Sequence, residues 1–522
     1  MKKFLEIIKN YFYVRKFINH NENYFKNKSE KAENIILLEL NSISSSIIAY
    51  SYLANFMSKH YMADIYAYKF DLGKNFLNKI YDIIFLRNMI DYYKIYQSFG
   101  AKKLIENKLT EKEKINSDII SENIFKGIKS KSDILEIKIE GIEIGDLLYD
   151  SYLKKFNKST IDIHDLKFKK FLFYFIGIFY FWKKYFENNN IKIKTLIVSH
   201  CVYERAIPLR IALQNNIPCY QASAAYIYRL NNNNKFAYRD YFNYKKQFSE
   251  LSETEKIKGV AKAKERLQLR FSGKVGIDMK YSKKSAYGRF LNKPLLNKSD
   301  KIKILIATHC FSDSPHSFGN LLFEDFYEWL SFLGKLSEKL DYEWYLKTHP
   351  DFIKSTRNQI KLFEKKYNNF TLLPADASHL QLIEEGIDYV LTCHGTIGHE
   401  YAAKGKTVIN ASLNNPHINY NFNIHPKNIE EYKEIILNLK NNNFTFNTNE
   451  VYEYYFMRYI NRKNNWLFEN YNDIMIKIGH KTHSRPVMFK IFLKKFNETR
   501  HQEVLNSLNG LISNKDYLFI PK

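Results

Sequence analysis

Residues 388–410, DYVLTCHGTIGHEYAAKGKTVIN, decide the fold. The apolar run 388–392 has the composition of a buried strand, and a second such run follows at 407–410. Between the two runs, a polar turn leads into a helical pattern from about Gly398. A strand, a crossover helix and a second strand form the βαβ unit of a parallel sheet. The stretch therefore predicts an α/β fold at this point of the chain.

The same alternation recurs in both halves of the chain. Further strands are predicted at 34–40, 63–68, 195–200, 217–221, 301–308, 343–347 and 371–373, with helical patterns between most of them. Residues 100–130 form a charged helical tract, and the alternation at 134–152 is typical of a strand or hairpin before a helix. We predict two doubly wound, Rossmann-like α/β domains that face each other across a cleft, followed by a helical tail.

Composition divides the chain into three parts. Residues 1–298 are predicted to form the first α/β domain, in which 232–298 is polar and basic, lacks strand signals and is partly helical, as a linker region would be. Residues 299–450 form the second α/β domain, and 451–522 a helical tail that packs back on the two domains.

The chain is basic. Its 522 residues include 80 Lys and Arg against 55 Asp and Glu, which leaves a formal net charge of +25. Such a charge suits a polyanion, an anionic membrane surface or a negatively charged small substrate. The lysines, however, are spread along the whole chain, as the coding bias of an AT-rich genome would also produce. We therefore expect no nucleic-acid partner, and we place association with the inner membrane surface ahead of nucleic-acid binding.

Cysteine usage and hydrophobicity indicate a cytoplasmic protein. The four cysteines lie far apart without a CxxC pair, so neither a disulfide framework nor a zinc knuckle is predicted. Charges interrupt the apolar part of the N-terminus, unlike a secretory signal. The most apolar stretch, 171–182, spans about twelve residues, whereas crossing a bilayer takes about twenty. We interpret that stretch as a buried helix, with interfacial membrane contact as the alternative.

Polar residues follow the predicted strands of the second domain. Lys347 and His349 come where one strand ends, and such side chains can grip a phosphate at the start of a helix. After the strand at 388–392, Gly395 and Gly398 let backbone amides approach a ligand. Thr396 offers a hydroxyl there, and Glu400 can accept hydrogen bonds from a ribose diol. Alternatively, Thr396 caps the helix and Glu400 only favours its positive N-terminus.

Acid and base candidates follow two other strands. In the second domain, Asp313 and His316 can act as a general base or hold a sugar hydroxyl, unless they only shape a turn. In the first domain, His200 and Glu204 follow the strand at 195–200. No metal site is predicted, because His394, His399 and Glu400 lack the histidine pair, four residues apart, of a helical zinc site.

The motifs resemble those of a known group. The element KTHP at 347–350, followed by HGTIGHEYAAKGKTV at 394–408, is similar to bacterial capsule and surface-polysaccharide glycosyltransferases of the GT-B fold, which include Kdo-transferase-like and sialyltransferase-like members. Residues 309–329 and 140–150 also resemble this group. The resemblance implies that the second domain binds a nucleotide-activated sugar. The implied donor-binding residues are His309, Ser312, His316, Lys347, His349, His394, Gly395, Thr396 and Glu400.

By this resemblance, a base in the cleft takes the proton of the acceptor hydroxyl while the basic residues stabilise the departing phosphate. The expected base is Asp313, followed by His200 and Glu204. The implied partners are a nucleotide-sugar donor and a polysaccharide or lipid-linked glycan acceptor, without a cofactor. A CMP- or CDP-linked donor is favoured over a UDP- or GDP-linked one. A CDP-linked polyol-phosphate transferase, a nucleotide-sugar 2-epimerase and a basic nucleic-acid-binding protein are the alternatives.

Overall fold

The computed structural model describes residues 2–25, 33–70, 90–188, 190–236, 238–275, 284–349, 354–441, 444–461, 466–469, 471–514 and 516–519. Two large sheets organise these residues, one in each half of the chain. Pro350, which the sequence places after His349 in the phosphate-gripping element, lies outside the described residues.

The first sheet has seven strands in the order β14-β8-β7-β6-β1-β2-β3. Its strands β1, β2, β3, β6 and β7 run parallel to one another, while β8 is antiparallel to β7 and β14 is antiparallel to β8. The strands of the first half, including the hairpin β4–β5, are β1 Asn34–Glu39, β2 Ala63–Lys69, β3 Ala101–Glu106, β4 Lys138–Ile139, β5 Ile142–Glu143, β6 Lys192–Val198, β7 Cys219–Ala222 and β8 Ile227–Leu230.

The second sheet has five strands, all parallel, in the order β11-β10-β9-β12-β13. They are β9 Lys303–Ala307, β10 Glu343–Lys347, β11 Phe370–Leu372, β12 Tyr389–Thr392 and β13 Thr407–Asn410, and β14 is Leu518–Phe519. In both sheets the strand order turns back at its centre, which is the doubly wound pattern. The predicted fold class, two such α/β domains with a helical C-terminal region, is confirmed.

Helices cover the sheets and form the C-terminal region. In the first half they are α1 Lys2–Tyr24, α2 Ser44–Tyr61, α3 Tyr92–Ser98, α4 Glu111–Gly127, α5 Lys131–Leu135, α6 Gly145–Phe156, α7 Leu166–Phe186 and α8 Ile207–Gln214. In the sequence, α9 Tyr244–Ser249 and α10 Glu253–Phe271 come after β8 of the first sheet and before β9 of the second. The rest are α11 Phe326–Ser337, α12 Lys354–Lys366, α13 His379–Glu384, α14 Ile397–Ala402, α15 Ile429–Leu437, α16 Asn449–Tyr455, α17 Tyr471–Ile478, α18 Val487–Lys495, α19 Glu498–Ser507 and α20 Asn509–Ser513.

The apolar stretch 171–182 lies within α7 and is buried. Phe175, Phe179 and Trp182 are fully buried, and they join the core that packs on one face of the first sheet. The prediction of a buried helix is confirmed. Among the described helices, none combines the length and the hydropathy that crossing a membrane requires.

Three elements of the first sheet differ from the sequence prediction. Strand β3 lies at the start of the tract predicted to be helical; it is an edge strand whose Lys102 and Lys103 face solvent, so its pattern looks charged. Strand β8 is too short to show a clear alternation. Strand β14, Leu518–Phe519, joins the first sheet beside β8, so residues almost 300 positions apart in the sequence pair in one sheet.

Candidate functional site

The carboxyl ends of the two sheets face each other. Tyr203, which follows β6, donates a hydrogen bond from its hydroxyl to Oδ1 of Asp313, which follows β9, at 3.0 Å. Two neighbouring residues of α6 reach the second domain in the same way: Tyr149 donates to Asp325 at 2.6 Å, and Asp150 pairs with His316 at 2.7 Å. Ligands of doubly wound sheets bind beyond these strand ends, so this junction is the candidate site.

His309 begins the loop after β9 and is held as a neutral imidazole. Its Nε2 lies 3.2 Å from the backbone nitrogen of Cys393, which donates to it, and 3.2 Å from Oγ1 of Thr392. The ring stacks on Phe326 with centroids 4.5 Å apart. Burial, together with the neighbouring His394 and His349, lowers the pKa of His309 well below its usual range. Because Nε2 accepts the backbone hydrogen bond, the proton of the ring is on Nδ1.

His394 lies against His309, with ring centroids 4.8 Å apart. Its Nδ1 is buried and finds no hydrogen-bond partner among the described residues. Burial and the neighbouring His316 lower the pKa of His394 to about 4. The adjacent Gly395 allows this packing, because a Cβ there would lie 3.0 Å from Oγ1 of Thr392 and 3.5 Å from the His309 ring.

Lys347, the last residue of β10, is a buried amine. Lys347 is 2% exposed, and its Nζ donates to the carbonyl oxygen of Ala375 at 3.2 Å. Burial lowers the pKa of Lys347 to about 8, an effect that the charge of Asp376 partly offsets. Within the described part of the chain, Lys347 makes no ion pair, although a buried ammonium group is strongly stabilised by an anion.

His379 lies within the electrostatic reach of Lys347. Burial lowers the pKa of His379 well below its usual range, and Lys347, Arg270 and His349 lower it further. His379 Nδ1 lies 2.9 Å from the hydroxyl of Tyr401. The side chains at the ends of β9, β10 and β12 therefore form a region of positive and neutral donors that would favour an anionic ligand.

Glu400 is withdrawn from the junction. Its side chain is 2% exposed; Oε1 accepts from Nε of Arg270 at 2.6 Å, and Oε2 accepts from the hydroxyl of Tyr287 at 2.7 Å. Burial opposes its charged form, but Arg270, His399 and the hydrogen bond from Tyr287 together outweigh burial and lower the pKa of Glu400. The expectation that Glu400 faces the cleft is not met in this arrangement, because both oxygens already have partners. Its role as a ribose acceptor stays a prediction.

Other residues of the motif at 394–408 support the packing around α14. Thr396 makes no capping hydrogen bond through its side chain, unlike the alternative considered from the sequence. At Gly398, a Cβ would lie 2.5 Å from the ring of His417, so this glycine leaves room for a buried histidine and does not face the junction. His399 packs among the rings of Tyr454 and Tyr455.

On the first domain, His200 follows β6 and contacts its neighbour Ser199. Its Nδ1 lies 2.8 Å from Oγ of Ser199, and that hydroxyl donates to Oε2 of Glu39 at 2.9 Å. Sequence reasoning missed Glu39. The available signal was a single carboxylate at the end of the apolar strand NIILLE, where its side chain is 1% exposed.

The other candidate residues predicted from the sequence differ in their exposure and in their hydrogen-bond partners. Asp313 is exposed over 58% of its side chain and pairs with Lys154 at 2.8 Å. Glu204 is buried. The Ser312 hydroxyl donates to Oδ1 of Asn157 at 3.2 Å. Burial opposes a charge on His316, but Asp150 outweighs burial and raises the pKa of His316.

The described residues line cavities but form no metal cluster. Across the described ranges, no three His, Cys, Asp or Glu side chains are grouped so that they could hold a metal ion. A cavity of about 600 Å³ is lined by residues of both domains, including Tyr152, Asp162 and Tyr327. Another, of about 500 Å³, lies near Lys303 and Gln381.

Comparison with known proteins gives distant structural likenesses. No family model and no curated protein matches the sequence. Among solved structures, the KpsC beta Kdo 2,4 transferase of Thermosulfurimonas dismutans matches with 12% identity over 51% of this chain and 79% of that chain, at a TM-score of 0.32. A UDP-GlcNAc 2-epimerase of Neisseria meningitidis bound to UDP-GlcNAc matches with 12% identity over 88% of this chain and 100% of that chain, at 0.24.

A glycosyltransferase of Rickettsia africae matches with 11% identity over 90% of this chain and 100% of that chain, at a TM-score of 0.25. The matches thus include a Kdo transferase, the kind of protein that the motifs at 347–350 and 394–408 resemble. At such identities and TM-scores, a likeness does not extend to activity.

Proposed function

We propose that this protein is a glycosyltransferase that moves a sugar from a nucleotide-activated donor to a capsular or other surface polysaccharide. The observation that carries the proposal is Lys347, whose ammonium group is buried at a strand end of the second sheet without an ion pair among the described residues. Bound phosphate would supply an anion to this ammonium group, and it would do so where doubly wound sheets bind their ligands.

The histidines at the same sheet edge suit a donor phosphate. His309 is neutral and carries its proton on Nδ1, because Nε2 accepts from the backbone of Cys393. His394 has a buried Nδ1 that is unsatisfied among the described residues and that a ligand could engage. Donors that are fixed before the reaction stabilise a developing phosphate charge without reorganising. In the proposed reaction, they stabilise the leaving nucleotide without any role for a metal ion.

The reaction would take place between the two sheets. The acceptor hydroxyl attacks the anomeric carbon of the sugar, the bond from that carbon to the phosphate oxygen breaks, and its electron pair leaves with the nucleotide. A base of the junction takes the hydroxyl proton. We propose a CMP- or CDP-linked donor, as the motif resemblance implies, and a polysaccharide or lipid-linked glycan as the acceptor.

Calorimetry with CMP, CDP, UDP and GDP tests the proposal. We expect at least one of these nucleotides to bind, and Lys347→Ala to weaken binding at least about tenfold, because a charge-assisted contact contributes more than about 1.4 kcal/mol. The matched control is Lys339→Ala, which removes an exposed lysine of the same domain. If none of the four nucleotides binds, or if Lys347→Ala binds as tightly as Lys339→Ala, the proposed site is wrong.

We also propose that the enzyme associates with the inner membrane surface through α1 and α18. These helices pack together, with Phe17 stacked on Phe489 at 4.4 Å. Their outer surface exposes 48% of Leu5 and 56% of Phe12. The exposed basic residues beside them are Lys9, Arg15, Lys16, Lys490, Lys494 and Lys495. Exposed apolar residues with surrounding lysines favour an anionic lipid surface.

Co-sedimentation with lipid vesicles tests this membrane surface. We expect binding to phosphatidylglycerol vesicles and little binding to phosphatidylcholine vesicles. The double variant Lys9→Glu/Lys16→Glu should release the protein, whereas the control Lys335→Glu/Lys339→Glu, on the exposed face of the second domain, should not. Equal release by both double variants would show that only net charge matters and would contradict a specific surface.

A further inference from the structure

We propose that Glu39 acts through Ser199 to position His200, and that His200 is the general base of the sugar transfer. The inference rests on the proposed function and deepens it, because the sequence left the choice between Asp313, His200 and Glu204 open. Glu39 itself was not a candidate from the sequence. In the proposed relay Glu39 acts through Ser199, so it is a positioning residue.

The chain of contacts begins with a buried carboxylate. Glu39 ends β1, and Ser199 follows β6, the neighbouring strand of the first sheet. Oε2 of Glu39 accepts from the backbone nitrogen of Ser199 at 2.6 Å and from its hydroxyl at 2.9 Å. The Glu39 side chain is 1% exposed. The adjacent strand ends therefore hold the carboxylate and the hydroxyl together.

The direction of these hydrogen bonds fixes the tautomer of His200. The Ser199 hydroxyl has a single proton, and it donates that proton to Oε2 of Glu39. The Ser199 oxygen must then accept from His200, whose Nδ1 lies 2.8 Å away. The His200 proton is therefore on Nδ1, which leaves the lone pair of the ring on Nε2. That atom is the one able to take a proton from an acceptor hydroxyl.

Two neighbouring elements hold the relay in place. Nε2 of Gln221, on β7, donates to the backbone oxygen of Ser199 at 2.7 Å. The hydroxyl of Tyr96, on α3, donates to the backbone oxygen of Glu39 at 3.0 Å. Because hydrogen bonds hold the backbones of both Glu39 and Ser199, the carboxylate and the hydroxyl extend from fixed positions.

The charges around His200 suit a base that is neutral before the reaction. Burial lowers the pKa of His200, Glu39 raises it, and Arg205 and His483 lower it. The imidazole is thus free of a proton on Nε2 at neutral pH. When Nε2 takes the hydroxyl proton, the acceptor oxygen bonds to the anomeric carbon and the sugar–phosphate bond breaks. The positive charge formed on His200 is then stabilised by Glu39 through Ser199.

Asp313 is less suited to this role. Its carboxylate is 58% exposed, and Oδ1 already accepts from Lys154 at 2.8 Å and from Tyr203 at 3.0 Å. A base needs a lone pair directed at the reacting hydroxyl. Both contacts engage Oδ1 and tie the exposed carboxylate to Lys154 and Tyr203, whereas the relay uses Nδ1 of His200 and leaves the lone pair on its Nε2.

The tautomer of His200 is the direct test, and it needs no activity. In the ¹⁵N spectrum of the histidine-labelled protein, the His200 signal, assigned with His200→Gln, should report a proton on Nδ1. Ser199→Ala removes the acceptor of this proton and should shift His200 toward the Nε2–H tautomer. The matched control is Thr195→Val, which removes a buried hydroxyl of β6 that donates to the backbone oxygen of Pro218. A proton on Nε2 in the wild type, or no shift in Ser199→Ala, overturns the relay.

Kinetics then test the base role. We expect Ser199→Ala and Glu39→Gln to lower kcat at least about tenfold and to leave nucleotide affinity unchanged, while Thr195→Val changes neither. In Glu39→Gln, the acid limb of the kcat profile should move to lower pH, because the carboxylate that raises the pKa of His200 is lost. An unmoved limb, or a kcat equal to that of the control, overturns the base role. A lack of nucleotide binding would instead contradict the proposed function and leave the tautomer result intact.

Discussion

Arg270 and Glu400 form a buried ion pair between α10, which lies between the two sheets in the sequence, and α14 of the second domain. Nε of Arg270 lies 2.6 Å from Oε1 of Glu400, and the two side chains are 7% and 2% exposed. Tyr287 donates to the other oxygen at 2.7 Å. A buried polar network thus connects the segment 232–298, expected from its composition to be a linker, to Glu400 of the second domain.

Removing one partner of this pair should destabilise the fold strongly. Arg270→Met leaves the Glu400 carboxylate buried with only Tyr287 as its partner, and an uncompensated buried charge costs about 3–5 kcal/mol. The free energy of unfolding, measured with urea, should fall by that amount. The double variant Arg270→Met/Glu400→Gln removes the charge and should recover part of the loss. If the double variant is no more stable than Arg270→Met, the charge is not the cause.

Gly398 should not tolerate a side chain. Ala at this position places a Cβ 2.5 Å from the ring of His417, which is itself packed against Phe422 and Tyr454. Overpacking of a core of this kind costs about 1–3 kcal/mol, so Gly398→Ala should lower the free energy of unfolding by that much. Gly288→Ala is the control, because nothing lies within 4 Å of a Cβ there. Equal stability of the two variants would contradict the packing described around α14.

The second domain could be predicted closely because its strands carry continuous apolar runs. The predicted strands 343–347 and 407–410 coincide with β10 and β13. In the first domain, β3 and β14 were missed. The two are strands at the edges of the sheet, where only one face or a few residues need to be apolar. Partners far apart in sequence, such as Leu518 and Tyr228, leave no local signal.

The position of the candidate site could be predicted from the sequence, but the partners of its side chains could not. Lys347 and His309 stand at strand ends, which a strand followed by polar residues reveals. The state of each side chain depends on partners that are distant in sequence, as with Glu400 and Arg270 or His200 and Glu39. Glu400 was expected at the cleft because a helix start exposes its first turn, but α10 covers it. Spacing along the chain carries no information about such long-range contacts.

Acid should destabilise the protein from about pH 6.5 downward. Burial lowers the pKa of His399 to about 3 and that of His425 to about 4. Below the ordinary histidine pKa of about 6.5, the unfolded chain takes up protons that the folded chain refuses, so stability falls with falling pH down to the folded pKa. Each such group contributes at most about 1.4 kcal/mol per pH unit. His316, with a raised pKa, has the opposite sign: its contribution is present below about pH 6.5 and is lost as pH rises.

Urea denaturation at pH 7.5, 6.5, 5.5 and 4.5 measures this slope. His399→Phe keeps an aromatic ring beside Tyr454 and Tyr455 but cannot take up a proton. Its stability should therefore fall less steeply with acid than that of the wild type, by up to about 1.4 kcal/mol per pH unit. His164→Phe is the control, because it replaces an exposed histidine. Parallel pH profiles of wild type and His399→Phe would show that His399 is protonated as easily in the folded state as in the unfolded one.

Nucleotide affinity should fall above about pH 8. Burial lowers the pKa of Lys347 to about 8 in the free protein. A bound phosphate stabilises the ammonium form and raises that pKa, so binding takes up a proton at higher pH. Affinity should be constant below pH 8 and then decrease by up to about tenfold per pH unit until the pKa of the complex is reached.

Calorimetry between pH 7 and 9.5, in buffers of different ionisation enthalpy, measures both the affinity and the proton uptake. Lys347→Met should bind more weakly at pH 7 and lose the pH dependence, while Lys339→Met should behave as the wild type. A pH dependence that survives in Lys347→Met would assign the titrating group elsewhere.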